Sequence, residues 1–351
     1  MPYKAAIIGF GGMANGHYDM ITEHVKGLTV KGAYDIRPEA REAITAKGII
    51  SYESADVIYN DPDIDLAVIA TPNDTHKPYA VACLKAGKHV VCEKPAALDY
   101  DELADIYKTA DTYGKFFTVH QNRRWDADFR TVKKILDDKL LIDPFRIESR
   151  VQASVRYLHG WRGYKINGGG MILDWGAHLV DQMLLLCEGS VVSVDCHAHG
   201  VFAKEVEDNF TALFKFDSGL SYLIEITNHN LIPPVRWNIC CADGTALIEN
   251  PGCTGRIVKI AGNGEPEIKE SITYAAEGPV RTDRPMPFTQ TKEYKLPKVK
   301  PYNHEYYKNI VASLGGKEQP IVTSEQALRV MEVIGAMFES AKKGRGLACD
   351  I

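Results

Sequence analysis

Eight cysteines occur in this 351-residue sequence, and none forms a Cys-x-x-Cys pair. That speaks against a zinc ribbon or a dithiol redox motif. Cys83 and Cys92 lie in apolar runs, and Cys240-Cys241 stand side by side in a β-like stretch. These thiols read as small apolar residues of a reduced, cytoplasmic protein. Cys196, His197 and His199 are too close along one strand to converge on a metal, because successive strand residues face opposite sides. No metal is expected. No apolar run reaches the length of a membrane span. The first residues run straight into Ala5-Ala6-Ile7-Ile8, without a basic-then-apolar leader. Positive charge is not in excess either: the formal net charge is -5. Neither nucleic acid nor an anionic membrane is an expected partner. There is no internal repeat and no low-complexity tract.

What is present is an ordinary globular composition, 45% hydrophobic and 25% charged, with length enough for two domains. Residues 4–9 form a short apolar strand. Gly9, Gly11 and Ala14 then give Gly-x-Gly-x-x-Ala ahead of a helical stretch at 13–26. The first glycine permits a tight turn, the second lets a pyrophosphate approach the backbone, and the small third residue lets helix and strand pack closely. Gly12 and Met13 open the helix whose N-terminus would face the phosphates. A second strand, 28–34, ends at Asp35. An acidic residue there accepts hydrogen bonds from ribose hydroxyls, which favours NAD. Arg37, two residues on, can meet a 2′-phosphate, so NADP stays open. Asp35 also precedes Pro38-Glu39-Ala40, where a helix N-cap is the alternative reading; the upstream glycines favour ribose binding.

Strands at 65–70, 88–92 and 116–120 alternate with helices at 39–47, 77–86 and 99–113. This spacing means βαβ units and a parallel sheet. Thr71, Asn73 and His76 follow one strand, Cys92-Glu93-Lys94-Pro95 the next, and His120-Gln121-Asn122 the last. All reach the sheet edge where open α/β sheets bind ligands. Glu93 and Lys94 on a turn are either a surface ion pair or part of a ligand site. Beyond residue 122 the composition changes. β-like stretches at 145–157, 191–203, 209–216, 219–229, 235–241, 245–249 and 256–260 are separated by turn signals such as Asp217-Ser218-Gly219 and Asp243-Gly244. They predict a second, mostly antiparallel or mixed sheet. Residues 275–301 read as an irregular excursion. In the closing helix, 324–343, Ala327, Val330, Met331, Ile334, Met337, Phe338 and Ala341 make an apolar core stripe. The domains are read as 1–122 and 123–351, with the last helix able to pack back on the first.

One helix stands out in the second part. Asn167-Gly168-Gly169-Gly170 leads into Asp174 and His178, four apart on one helix face. Asp181 is three further on. A histidine with a carboxylate one turn away suits general acid–base work. A salt-bridged or capping histidine on an exposed face fits the same spacing.

These motifs, in this order, resemble the glucose–fructose oxidoreductase / inositol dehydrogenase (Gfo/Idh/MocA) family over nearly the whole chain. The resemblance implies an α/β protein: an N-terminal Rossmann domain and a C-terminal α+β domain with a large open, mostly antiparallel sheet. It implies NAD(P) across the first sheet edge, held by Gly9, Gly11, Gly12, Met13, Asp35, Arg37, Thr71, Asn73, His76, Glu93, Lys94 and Gln121. It implies catalysis by Lys94, Asp174 and His178 on a secondary hydroxyl of a sugar, glycoside or cyclitol. His178 would be the base, and Asp174 would bind a neighbouring hydroxyl or orient His178. Tyr157, His159, Trp161 and Arg162 are further candidates for the substrate site. An NAD-dependent glycosidase, a self-recycling glycoside oxidoreductase and a non-enzymatic NAD-binding sensor are the alternatives. A homodimer or homotetramer is expected.

Overall fold

The structure is a computed structural model that describes residues 2–153, 155, 157–261, 270–275, 277–283, 290–300 and 304–351. The chain begins with β1 (Tyr3–Ile8), α1 (Gly12–His24), β2 (Leu28–Tyr34), α2 (Pro38–Ala46), β3 (Ile50–Ser51) and α3 (Ala55–Asn60). It continues through β4 (Leu66–Ile69), α4 (His76–Lys85), β5 (His89–Cys92), α5 (Tyr100–Thr112) and β6 (Phe117–Val119). These six strands form one parallel sheet in the order β3-β2-β1-β4-β5-β6. The apolar runs sit at its centre: Ala5–Ile8 and Leu66–Ile69 are fully buried. Helices cover both faces of such a sheet, so its central strands carry no polar face.

Then come α6 (Ala127–Asp137), β7 (Pro144–Gln152), α7 (Ala177–Leu186), β8 (Val191–His199), β9 (Asn209–Phe216) and β10 (Ser221–Thr227). After them run β11 (Trp237–Cys241), β12 (Gly244–Ile248), β13 (Gly255–Ile260), β14 (Glu270–Ala275), β15 (Gly278–Asp283) and β16 (Thr291–Lys295). The chain closes with α8 (Glu305–Leu314), α9 (Ser324–Lys343) and β17 (Leu347–Ala348). Nine strands form a second sheet, β16-β13-β12-β11-β7-β10-β9-β8-β17. Every pairing in it is antiparallel except β7 with β10. Alternation sets its inner face: Tyr222, Ile224 and Ile226 of β10 are buried, as are Phe210, Ala212, Phe214 and Phe216 of β9. The expected α/β architecture, with a parallel and a mostly antiparallel sheet, is what forms.

Three expectations change. The two-residue β3 and the six-residue α3 had no readable pattern. The segment 275–301 is not wholly irregular, since β15 and β16 lie within it and β15 closes a hairpin with β14. Residues 276, 284–289 and 301 of that segment, and Ser154 and Arg156 of the strand expected at 145–157, lie outside the described residues. On α9, Val333 and Ser340 are buried, whereas Phe338 is exposed. The helix packs on β8 and α7 and also against α5 and β6. Thr118 in β6 donates to Val322 O just before it (2.9 Å), so the end of the chain ties the two sheets together. Among the described residues no helix is long and apolar enough to cross a membrane.

Candidate active site

The carboxyl ends of β1, β2, β4 and β5 open onto a cleft of about 700 Å³, a volume typical of small-ligand sites. Gly9 ends β1 with φ +84°, and a Cβ there would stand 2.7 Å from Ala70 O. Only glycine allows the loops after β1 and β4 to approach this closely. At Gly11 and Gly12 an added Cβ would meet nothing within 4 Å. The loop therefore presents bare backbone to the cleft. The first turn of α1 has no acidic residue and no side-chain cap, so its N–H groups are available to an anion. Met13 is partly exposed on the same rim. These features fit a dinucleotide pyrophosphate.

Asp35, buried at the end of β2, supplies the next part. One carboxylate oxygen accepts from Phe10 N (2.7 Å) and Arg37 Nη2 (3.0 Å). The other accepts from Arg37 N (2.9 Å) and Nε (3.0 Å). Burial pushes Asp35 up, but these bonds outweigh it and hold the carboxyl below its ordinary range. It is an ionised acceptor at the cleft wall. It makes no side-chain cap bond to α2, so the cleft position rather than the N-cap describes it.

Lys94 leaves the end of β5 and crosses to the glycine-led helix. Its Nζ donates to Asp174 Oδ1 (2.5 Å) and to Asp174 O (2.8 Å). Arg162 Nε donates to the other carboxylate oxygen (3.1 Å). Burial pushes Asp174 up, and the Lys94 and Arg162 cations more than reverse it. The glycines make this crossing close. A Cβ on Gly168 would lie 2.2 Å from Leu98 Cδ2, and Asn73 Nδ2 donates to Gly168 O (2.8 Å). Asn73 thus lines the cleft and also ties the two halves of the site together.

His178 is 5% exposed, not on an open helix face. The expected Asp174–His178 pair does not form. Asp174 lies in a π-helical turn, Ile172–Gly176, while His178 lies in α7, so the spacing of one continuous α-helix does not apply. The Nδ1 of His178 instead lies 3.1 Å from Gln121 Oε1. Asp181 is not near it in bonding terms: both its oxygens are taken by Arg124, at 2.8 and 2.5 Å. Burial holds His178 well below its ordinary range, and the Lys94 and Arg123 cations add to this. The imidazole is neutral.

Behind Lys94, Glu93 turns inward. Its Oε1 accepts from His17 Nε2 (2.8 Å) and His120 Nδ1 (2.7 Å), and Tyr307 donates to His17 Nδ1 (2.7 Å). Burial alone would raise Glu93; the two histidines overcome it and hold the carboxyl well below its ordinary range. Donor atoms of His17, Glu93 and His120 lie within 4.8 Å of one another. Hydrogen bonds account for that closeness without a cation, leaving only His120 Nε2 without a partner.

The structure thus brings the glycine loop, Asp35, Arg37, Thr71, Asn73, Lys94, Trp161, Arg162, Asp174 and His178 to one cleft. Four expected residues stand differently. Glu93 borders the cleft, but its carboxylate faces the buried histidines. His76 has both ring nitrogens on backbone carbonyls, Pro95 O (2.8 Å) and Thr71 O (2.9 Å), and offers neither to a ligand. Gln121 serves His178. Tyr157 is 63% exposed, away from the cleft lining, with its ring against Phe202. Sequence reasoning missed Arg123, whose guanidinium stacks 4.1 Å over Trp175 at the cleft wall. It also missed His17, although a signal existed: Ala14, His17 and Ile21 share the buried face of α1 at helical spacing.

Residues 3–121 match the family described as "Oxidoreductase family, NAD-binding Rossmann fold", and residues 129–247 match the "GFO/IDH/MocA C-terminal domain". The chain is 32% identical over 305 residues to the uncharacterized oxidoreductase YdgJ of Escherichia coli K12, covering 81% of each chain. It is 29% identical over 296 residues to the scyllo-inositol 2-dehydrogenase (NADP(+)) IolW of Bacillus subtilis 168, covering 82% of this chain and 80% of that one. A solved NAD-binding protein from Listeria innocua superposes with a TM-score of 0.88 at 36% identity, covering 99% of this chain and 97% of that one.

Proposed function

We propose that this chain, which belongs to the GFO/IDH/MocA family of NAD(P)-dependent oxidoreductases, oxidises a secondary hydroxyl of a sugar, sugar derivative, glycoside or cyclitol. It is an enzyme acting on CH–OH groups, and the finer reading concerns substrate and residues. One observation carries it: the Lys94 side chain and the buried His178 imidazole line the same cleft as the glycine loop and Asp35. The bound nicotinamide supplies the hydride acceptor. His178 takes the hydroxyl proton as the C–H hydride leaves, so a carbonyl forms with electrons and protons balanced. Lys94 donates to the same oxygen and favours its developing negative charge. Asp174 holds Lys94 and Arg162 in place. Trp161, Arg162 and His159 line the substrate end, where polar groups meet ring hydroxyls. Several relatives bear the name inositol 2-dehydrogenase, including that of Rhodococcus jostii, which favours a polyhydroxylated ring. The eight free thiols fit a reducing, cytoplasmic compartment. The broad second sheet is the surface we assign to self-association as a homodimer or homotetramer.

The test is nicotinamide absorbance with free NAD and a panel of sugars, glycosides and inositols, comparing wild type with Lys94→Ala and His178→Ala. NADH formed with a ring polyol, and lost in both variants, is the expected result. Undiminished turnover in both variants refutes the catalytic assignment. Conversion of glycosides by tightly held cofactor, with no net NADH, refutes simple dehydrogenation and supports self-recycling.

A further inference from the structure

His178 faces the cleft with one ring nitrogen, and the other is held from behind. Gln121 provides that hold, from the segment just after β6 (Phe117–Val119). Its backbone is fixed on both sides: Gln121 N donates to Val119 O (3.0 Å), and Arg124 N donates to Gln121 O (3.3 Å). Its side chain is 3% exposed in the residue as a whole. The Nε2 donates to Ala177 O (3.4 Å), one residue before the histidine, and the Oε1 sits 3.1 Å from His178 Nδ1. The first contact orients the second. An amide NH2 can donate to a carbonyl, and an amide oxygen cannot. Turning the amide over would put two oxygens face to face. The oxygen therefore stays on His178 Nδ1, and that nitrogen must carry the ring's hydrogen. A neutral imidazole has one N–H, so Nε2 is left as a bare acceptor on the cleft side.

We propose that Gln121 is a positioning residue that selects the Nδ1–H tautomer of His178 and so prepares Nε2 to accept the substrate's hydroxyl proton. This rests on the reading of His178 as the base. A neutral amide does the work usually given to a carboxylate behind a histidine. The choice matters here because of what else faces the ring. The Lys94 and Arg123 cations and His120 all disfavour a proton on the ring, and Glu93 opposes them. The Trp175 ring stands edge-on at 6.0 Å. A second carboxylate against Nδ1 would draw a proton onto the ring and fill the Nε2 lone pair. The amide fixes orientation without adding charge, so the base is free in neutral and mildly acid solution.

The tautomer can be read without substrate or cofactor. Protein labelled with 15N in its histidines gives separate ring-nitrogen signals for protonated and bare positions, and the His178 pair is assigned by its loss in His178→Ala. Wild type is expected to show protonated Nδ1 and bare Nε2 from pH 8 to pH 6. Gln121→Met, which keeps length and removes the acceptor, is expected to mix or invert the two signals. Gln121→Glu is expected to raise the ring's titration midpoint by about one to three pH units and to move the acid limb of kcat/KM by the same amount. A wild-type ring with its hydrogen on Nε2 overturns the proposal, whatever the variants do. So does a Gln121→Glu protein whose ring titrates where wild type does. Turnover that survives His178→Ala would sink the base assignment while leaving the measured tautomer as it is, so the two readings fail separately.

Discussion

Replacing Asp35 by Asn should shift the ratio of NADH to NADPH affinity toward NADPH by roughly 100-fold, and the reason lies in four hydrogen bonds. In the structure the carboxylate is shared by Phe10 N and three nitrogens of Arg37. It is ionised and buried, with an exposed guanidinium beside it. For NADH, the change from a charged to a neutral acceptor removes about 1 kcal/mol, since charge-assisted bonds exceed neutral ones by about that much. For NADPH, the carboxylate opposes a 2′-phosphate. Two unit charges about 4 Å apart repel by roughly 1 kcal/mol in water and about 4 kcal/mol in a protein-like medium. A half-open site lies between these limits, so about 2 kcal/mol is released. Together the swing is about 3 kcal/mol, or roughly 100-fold in the ratio of dissociation constants. The asparagine oxygen can still accept from Phe10 N, and Arg37 is freed for the phosphate. Titration of intrinsic fluorescence with NADH and with NADPH measures both constants without any substrate. Arg37→Ala should weaken NADPH about tenfold and NADH little. A ratio that moves less than about threefold in Asp35→Asn would refute the placement of the adenosine ribose beside β2.

Three further outcomes follow from buried polar groups. Glu93→Gln should lower unfolding stability by about 2 kcal/mol, because two charge-assisted bonds become neutral and the new NH2 faces Lys94 N–H; chemical denaturation reads the loss, and kcat should fall while the NADH dissociation constant holds. Arg124→Leu should cost about 3–5 kcal/mol by stranding the buried Asp181, and the double variant Arg124→Leu/Asp181→Leu should recover much of it, so a double variant less stable than either single one contradicts the pairing. The third concerns acid. Burial, in each case the largest cause, keeps His17 and His178 below the ordinary histidine range. The unfolded chain therefore takes up protons below about pH 6.5 that the native state refuses, and stability present above that pH is lost as pH falls. Each histidine contributes up to about 1.4 kcal/mol per pH unit, and Glu93 and Asp174, held low, add to the loss only further into acid. Urea midpoints at pH 7.5 and 5.5 should differ strongly in wild type and less in His178→Asn; equal midpoints would show that these rings are protonated in the fold.

Much of this was legible because it depends on spacing. Strand-to-helix punctuation from Gly9 to Val119 sets a parallel sheet, and the loops that follow its strands must meet at one edge. The glycine run before Asp174 permits a close approach, and Gly168 does lie against Leu98 and Asn73. Partner choice was not legible. Asp174 and His178 are four apart, yet each bonds to the first sheet's domain rather than to the other. Sequence spacing on a helix describes only local neighbours. It is silent about Lys94, which is 80 residues from Asp174, and about Gln121, which is 57 from His178. Short elements such as β3 and α3 escape for another reason. Two or six residues hold too few periods to separate from chance, and their stability comes from packing rather than propensity.

The Glu-Lys-Pro turn shows how local and distant terms combine. At the end of β5, neighbouring side chains point opposite ways, so Glu93 enters the interior as Lys94 enters the cleft. The buried carboxylate needs donors there, because an unpaired buried charge is far costlier than a paired one. α1 supplies His17, β6 leads into His120, and α8 supplies Tyr307 to complete His17. Each arrives from a different part of the chain, and the last belongs to the C-terminal helices. The turn that aims Lys94 therefore rests in part on a contact from the end of the chain. It follows that Tyr307→Phe, which removes the hydroxyl that donates to His17, 290 residues away from it in sequence, should loosen the Lys94 turn while leaving the cleft lining intact. The expected result is a severalfold lower kcat with unchanged NADH affinity. An unchanged kcat would mean that the histidine–carboxylate contacts hold the turn without the tyrosine.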